Sequence, residues 1–155
     1  MVPIKEAINS GAWLLCEQNA NLLEANQFRL RINLFRKIHL SEIDGAEEVN
    51  GLDSNSTIWL LGVEIINLNK TPLRVHEATN QLILIDQDGF SFPIFEDHHL
   101  HSYSEFGEKT KLKRFWLGDL LPKIKAVGSL AFQLPDDDEA TYSIGIKNHG
   151  IVKEV

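Results

Sequence analysis

From Phe28 to Leu40 the chain alternates. Phe28, Leu30, Ile32, Leu34, Ile38 and Leu40 are apolar, and Arg29, Arg31, Asn33, Lys37 and His39 between them are polar. A period of two places one row on a core and the other in water, so this stretch predicts a half-buried strand. Phe35 interrupts the outer row and Arg36 the inner one, and a bulge or bend there accounts for both. Ile58 to Leu68 is apolar except at Gly62, Glu64 and Asn67, as expected of a central strand covered on both faces. Leu82 to Ile85 and Phe90 to Phe95 flank Asp86-Gln87-Asp88-Gly89. That arrangement predicts a hairpin, because Asp-Gly accepts positive φ. Pro93 has no N–H to give a ladder, which places its strand at an edge. Lys111 to Leu117, Val127 to Leu134 and Tyr142 to Ile146 are three further strand candidates. Asn67 to Pro72, Leu121-Pro122-Lys123 and Pro135-Asp136-Asp137-Asp138 carry turn chemistry. Ser41 to Ser56 is a long polar connection rich in acids and glycine. Many short strands joined by polar turns predict a mostly-β, two-sheet sandwich.

Before Phe28 the period differs. Ile4, Ile8, Ala12 and Leu15 form an apolar stripe at helical spacing, and Pro3 is tolerated in a first turn. Residues 3 to 26 therefore read as helix, with Gly11 weakening its middle. A lone amphipathic helix most often packs on its own domain, so it is expected to cover one end or edge of the sheet. The resulting division is an N-terminal helical lead-in over 1–27, a β-sandwich over 28–150 and a tail over 151–155.

Composition narrows the partners. The chain has 155 residues, 43% of them hydrophobic, which fits one folded domain. Its net charge is -7, from 22 acids and 15 bases. A field of that sign repels phosphate backbones and anionic lipid, which argues against nucleic acid and membrane surfaces as partners. Cys16 is the one cysteine, so neither an intrachain disulfide nor a thiolate zinc cage can form. No segment has the length and apolarity of a membrane span or of a signal-peptide core, which gives a cytoplasmic expectation.

The stretch from Val63 to Ile146 resembles the immunoglobulin-like (telokin-like) bacterial domain of unknown function, mostly known from exported lipoproteins. Val63-Glu64-Ile65-Ile66-Asn67-Leu68-Asn69-Lys70-Thr71-Pro72-Leu73 is similar to the family's strand ending in an asparagine turn. Leu82 to Gly89 is similar to its strand and acidic-glycine hairpin. Gly128-Ser129-Leu130-Ala131-Phe132-Gln133-Leu134-Pro135 is similar to its late glycine, apolar strand and proline. The resemblance implies an immunoglobulin-like sandwich and supplies no catalytic residues. Two departures stand out. Trp13-Leu14-Leu15-Cys16 has large residues where an acylation motif needs small ones, so membrane anchoring does not carry over. Lys123 occupies a position where glycine is usual.

Candidate chemistry is sparse. Glu96-Asp97-His98-His99-Leu100-His101 holds three of the six histidines. In an extended segment Asp97, His99 and His101 share a face, and two imidazoles with a carboxylate can hold a transition metal and leave one position open. The competing reading is a solvated polar loop. Asp86-Gln87-Asp88-Gly89 fails as a calcium loop, since its glycine comes too early and the closing glutamate is missing. Asp136 to Glu139 reads as a solvated acidic turn. Lys109, Lys111, Lys113, Arg114, Lys123 and Lys125 surround Phe115 and Trp116, and Arg29, Arg31 and Lys37 extend the basic character. Such a face can bind single strands, but the net charge opposes it. No nucleophile elbow, phosphate loop or dinucleotide fingerprint is present. Cys16 reads as a small buried hydrophobe.

The expectation is a non-catalytic module that binds a protein partner through loops or an edge strand, without a cofactor. The alternative is a metal-dependent enzyme using Asp97, His99 and His101.

Overall fold

The computed structural model describes residues 1–18, 26–38, 56–95, 118–148 and 150–155. These form eleven strands and two short helices: β1 (Val2–Pro3), α1 (Ile4–Ser10), β2 (Leu14–Gln18), β3 (Asn26–Ile38), β4 (Ser56–Asn67), β5 (Leu73–Arg74), α2 (Val75–Thr79), β6 (Leu82–Asp86), β7 (Ser91–Pro93), β8 (Asp119–Leu120), β9 (Lys125–Pro135), β10 (Tyr142–Ile146) and β11 (Ile151–Glu154). A four-stranded sheet runs β1-β10-β6-β7 and a five-stranded sheet runs β11-β2-β3-β4-β9. Antiparallel pairing joins the neighbours in both. The strands β5 and β8 add a two-stranded clip.

The core lies between the two larger sheets. The five-stranded sheet contributes Leu14, Cys16, Phe28, Leu30, Ile32, Leu61, Val63, Ile65 and Phe132, and the smaller one contributes Leu82, Leu84, Tyr142, Ile144 and Ile146. Alternation does what the pattern expects on β3, where even positions up to Ile32 point inward. β4, expected to be covered on both faces, is so at its start, where even Ile58 and Leu60 are buried as well as odd Leu61, Val63 and Ile65, while Glu64 and Ile66 further along are half-buried. Burying each of these aliphatic or aromatic side chains supplies roughly 1.5–3 kcal/mol.

The break at Phe35 and Arg36 is a bulge. Pairing of β3 with β4 shifts register between Ile32 and Leu34, leaving Asn33 as the extra residue. An added residue swaps the faces that follow it. Phe35 accordingly turns inward, onto Trp59 at 4.8 Å and Tyr142 at 6.0 Å between ring centroids. Arg36 and Ile38 move to the outer face, opposite Leu60 and Ile58. Gly62 makes room for this. A Cβ there would run into the Asn33 side chain.

The expected hairpin forms. Gly89 has φ of 88°, and the Asp86 carboxylate accepts hydrogen bonds from the backbone N–H groups of Asp88 at 3.0 Å and Phe90 at 2.9 Å. The strand carrying Pro93 is the outermost of its sheet, as its missing N–H requires. The asparagine turn also forms. Asn67 is fully buried, donates to the carbonyls of Thr71 at 3.0 Å and Leu120 at 2.8 Å, and accepts from the Asn69 N–H at 2.8 Å. Lys123 has φ of 64°.

The helix over residues 3 to 26 is the main correction. Among the described residues of that stretch only α1 is helical, seven residues long. Gly11 ends it in the left-handed conformation, with its N–H donated to the carbonyls of Ala7 and Ile8. Residues 14 to 18 are a strand, with Leu14, Cys16 and Gln18 buried and Leu15 and Glu17 half-buried. The apparent helical stripe mixed α1 positions with a strand whose own period is two. Within α1 the covering role holds, since Ile4 and Ala7 sit in the core. The stretch 1–27 thus supplies strands to both sheets, and the expected tail at 151–155 carries β11, paired to β2. The candidate strand at Lys111 to Leu117 lies outside the described residues.

Candidate interaction face

The outer face of the five-stranded sheet is where charge gathers. Direct cross-strand pairing sets one row across all five strands: Lys153 opposite Leu15, Leu15 opposite Arg29, Arg29 opposite Ile66, and Ile66 opposite Lys125. Bases and aliphatic side chains alternate along it. Neighbouring strands lie about 4.8 Å apart, so successive bases stand roughly 10 Å apart and the row spans about 19 Å. Leu15 and Ile66 are half-buried, Arg29 is exposed, and the Lys153 and Lys125 side chains are 58% and 48% exposed.

A second row lies beside the first. Arg31 stands directly opposite Glu64, and its guanidinium lies 4.5 Å from the centre of the Trp13 ring. Glu64 accepts a hydrogen bond from Arg31 Nε and pairs with Lys125 Nζ at 3.1 Å. Those two partners, Arg31 foremost, pull the Glu64 carboxyl down to about 2, against its partial burial. Val127, two residues beyond Lys125, is 55% exposed on the same face. Glu17 and Lys153 approach to 3.9 Å.

The charges of this region do not cancel. Among the described residues Arg29, Arg31, Lys125 and Lys153 face Glu17 and Glu64, four bases against two acids, in a chain whose net charge is -7. Glu64 serves two bases at once, and among the described residues Arg29 has no acidic partner. Past the sheet's end, exposed Leu68, Leu121 and Ile124 gather around the Asn67 turn, where the Lys123 N–H bonds the Asn67 carbonyl at 2.9 Å. The outer face of the smaller sheet differs: among the described residues its paired rows present Ile83, Ile85, Ser143 and Pro93, none of them charged.

The structure sorts the basic residues singled out in the sequence. Arg29, Arg31 and Lys125 come together on one face. Lys123 sits at its end. Lys37 leaves it, because the bulge reverses the parity, and pairs with Asp136 at 3.0 Å. Lys109 to Arg114, Phe115 and Trp116 lie outside the described residues, as do Asp97, His99 and His101. Among the described residues no group of three metal-ligating side chains comes together. Sequence reasoning missed Trp13, Leu15 and Lys153, having assigned the first two to a helix and the third to a tail. Cys16 is fully buried, and burial pushes its thiol up to about 12, which leaves it inert at neutral pH. No helix among the described residues is long and apolar enough to cross a membrane.

No family model matches the chain, and no curated protein matches it significantly. Solved structures do. A "putative lipoprotein (ycdA)" from Bacillus subtilis matches with a TM-score of 0.52 at 14% identity, covering 83% of this chain. This chain spans 36% of the length of that one. A "Conserved Hypothetical Protein" from Bacillus anthracis matches with a TM-score of 0.52 at 11% identity, covering 82% of this chain and 86% of that one. The yjhA protein of Bacillus subtilis gives 0.51 at 15% identity, with 85% and 86% covered. At such identities the likeness is one of fold.

Proposed function

We propose that the chain is a non-catalytic interaction module that docks a protein partner on the outer face of its five-stranded sheet. One observation carries this reading: the cross-strand row in which Arg29, without an acidic partner among the described residues, stands between half-buried Leu15 and Ile66. A side chain there costs the fold nothing to expose and offers a partner charge and apolar contact together, the mixture found at docking surfaces. The immunoglobulin-like assignment of the sandwich belongs to the same reading, supported by the asparagine turn and the glycine hairpin.

The competing proposal is a metal-dependent enzyme built on Asp97, His99 and His101. The two separate in one experiment. Purified protein is dialysed, its metal content measured, and its turnover screened against hydrolase and oxidoreductase substrates. The module reading expects no stoichiometric transition metal, no turnover and no rise in melting temperature with added zinc, cobalt or nickel. Stoichiometric metal that survives dialysis, together with turnover, both lost in the His99→Ala, His101→Ala double variant, would overturn it.

A further inference from the structure

Resting on that reading, we infer that the partner is an acidic protein segment, with carboxylates spaced to meet Lys153, Arg29 and Lys125 and aliphatic side chains between them to meet Leu15 and Ile66. The spacing comes from the sheet. Two strand steps separate successive bases, about 10 Å, and an extended chain covers that distance in roughly three residues. A segment of about seven to nine residues therefore reaches all three bases. Glu64 preorganises one end of the face. It holds Arg31 and Lys125 in place while the stack on Trp13 fixes the Arg31 plane. Among the described residues Arg29 is the base with no acid to displace before a carboxylate can bind, and it stands in the middle of the row, so it is the central contact. Arginine suits the role, because its planar fork accepts a carboxylate through two parallel hydrogen bonds.

The sign of the charge selects the partner. Although the chain has a net charge of -7, the described residues of this face hold a surplus of base, which complements an acidic surface and repels a basic one. Among the described residues the paired rows on the smaller sheet's outer face carry no charge and offer no such selection. The row is narrow beside a standard interface, so binding is weak, salt-sensitive and reversible.

The test is selection from a random twelve-residue peptide library on the immobilised full chain, with the enriched peptides remeasured in solution. The expected outcome is a set of acidic, aliphatic-rich peptides whose affinity falls at least tenfold in Arg29→Glu. It should fall as well in Lys153→Glu, and on raising salt from about 0.05 to 0.5 M. Arg29 and Lys153 are exposed, so an unchanged melting temperature shows that either variant still folds. Enriched peptides that are neutral or basic, or acidic ones indifferent to Arg29→Glu, overturn the inference, as does the absence of any enriched peptide. Tighter binding of a single-stranded oligonucleotide or of anionic-lipid vesicles than of any peptide overturns it too. The docking reading fails separately. Neutral or basic peptides, or acidic ones indifferent to Arg29→Glu, that lose binding on Val127→Arg and Ile66→Arg leave the face in place and remove only the acidic partner. Peptides indifferent to every substitution on this face remove both.

Discussion

Glu64 ties the outer face together through one carboxylate. It is 12% exposed and joins three strands by bonding Arg31 on β3 and Lys125 on β9. Its carboxyl sits at about 2 when folded, against an ordinary value of 4.5. A lowered folded value contributes stability above the unfolded one, and that contribution disappears as pH falls through the folded one. Between about pH 4.5 and 2 the protein should therefore lose stability that the Glu64→Gln variant does not lose. At neutral pH that variant should be less stable by ~1–2 kcal/mol, read from chemical denaturation. A pH profile of the variant parallel to that of the wild-type chain would show that the carboxylate plays no such part. The pair was readable only in halves. Arg31 belongs to the polar row of β3 and Glu64 interrupts an apolar run, but nothing in the sequence says that they meet, because the register of β3 on β4 is a long-range pairing.

At the scale of elements, legibility follows period and length. Long β3, β4 and β9 show their faces over many residues, and the hairpin announces itself through Asp88-Gly89. Short elements do not. α1 and β2 together span too few residues for either period to establish itself, so their apolar positions fused into one apparent helix. The division at Gly11 has a consequence for packing. Ile4 and Ala7 close the core while the residues beyond Gly11 serve the sheet. Ile4→Ala should cost ~2–4 kcal/mol, because the methylenes lost lie in a packed core. The exposed Lys5→Ala in the same helix should cost well under 1 kcal/mol. Urea titrations of the two variants decide the matter, and equal effects would show that α1 is not part of the core. The turn at Lys123 was half-legible: Leu121-Pro122-Lys123 carries turn chemistry, but nothing in it announces the positive φ that the backbone takes at Lys123.

The whole molecule joins a sandwich core to a sheet face that the core does not use. Half of that face follows from the pattern, since Arg29 and Arg31 alternate with buried residues and must point away from the core. The other half, Leu15, Lys153 and Lys125, depends on strands from both ends of the chain meeting on one sheet, which local pattern does not encode. The central claim is that this face, and no other surface of the sandwich, meets a partner. The most direct test places a photo-cross-linking residue at position 27 on the outer face of the five-stranded sheet, or at position 93 on the smaller sheet, in the full chain inside its native cells. The account predicts a discrete protein adduct from position 27 that is lost when Arg29→Glu is added, and no such adduct from position 93. The same adduct from both positions, or one from position 27 indifferent to Arg29→Glu, would contradict it.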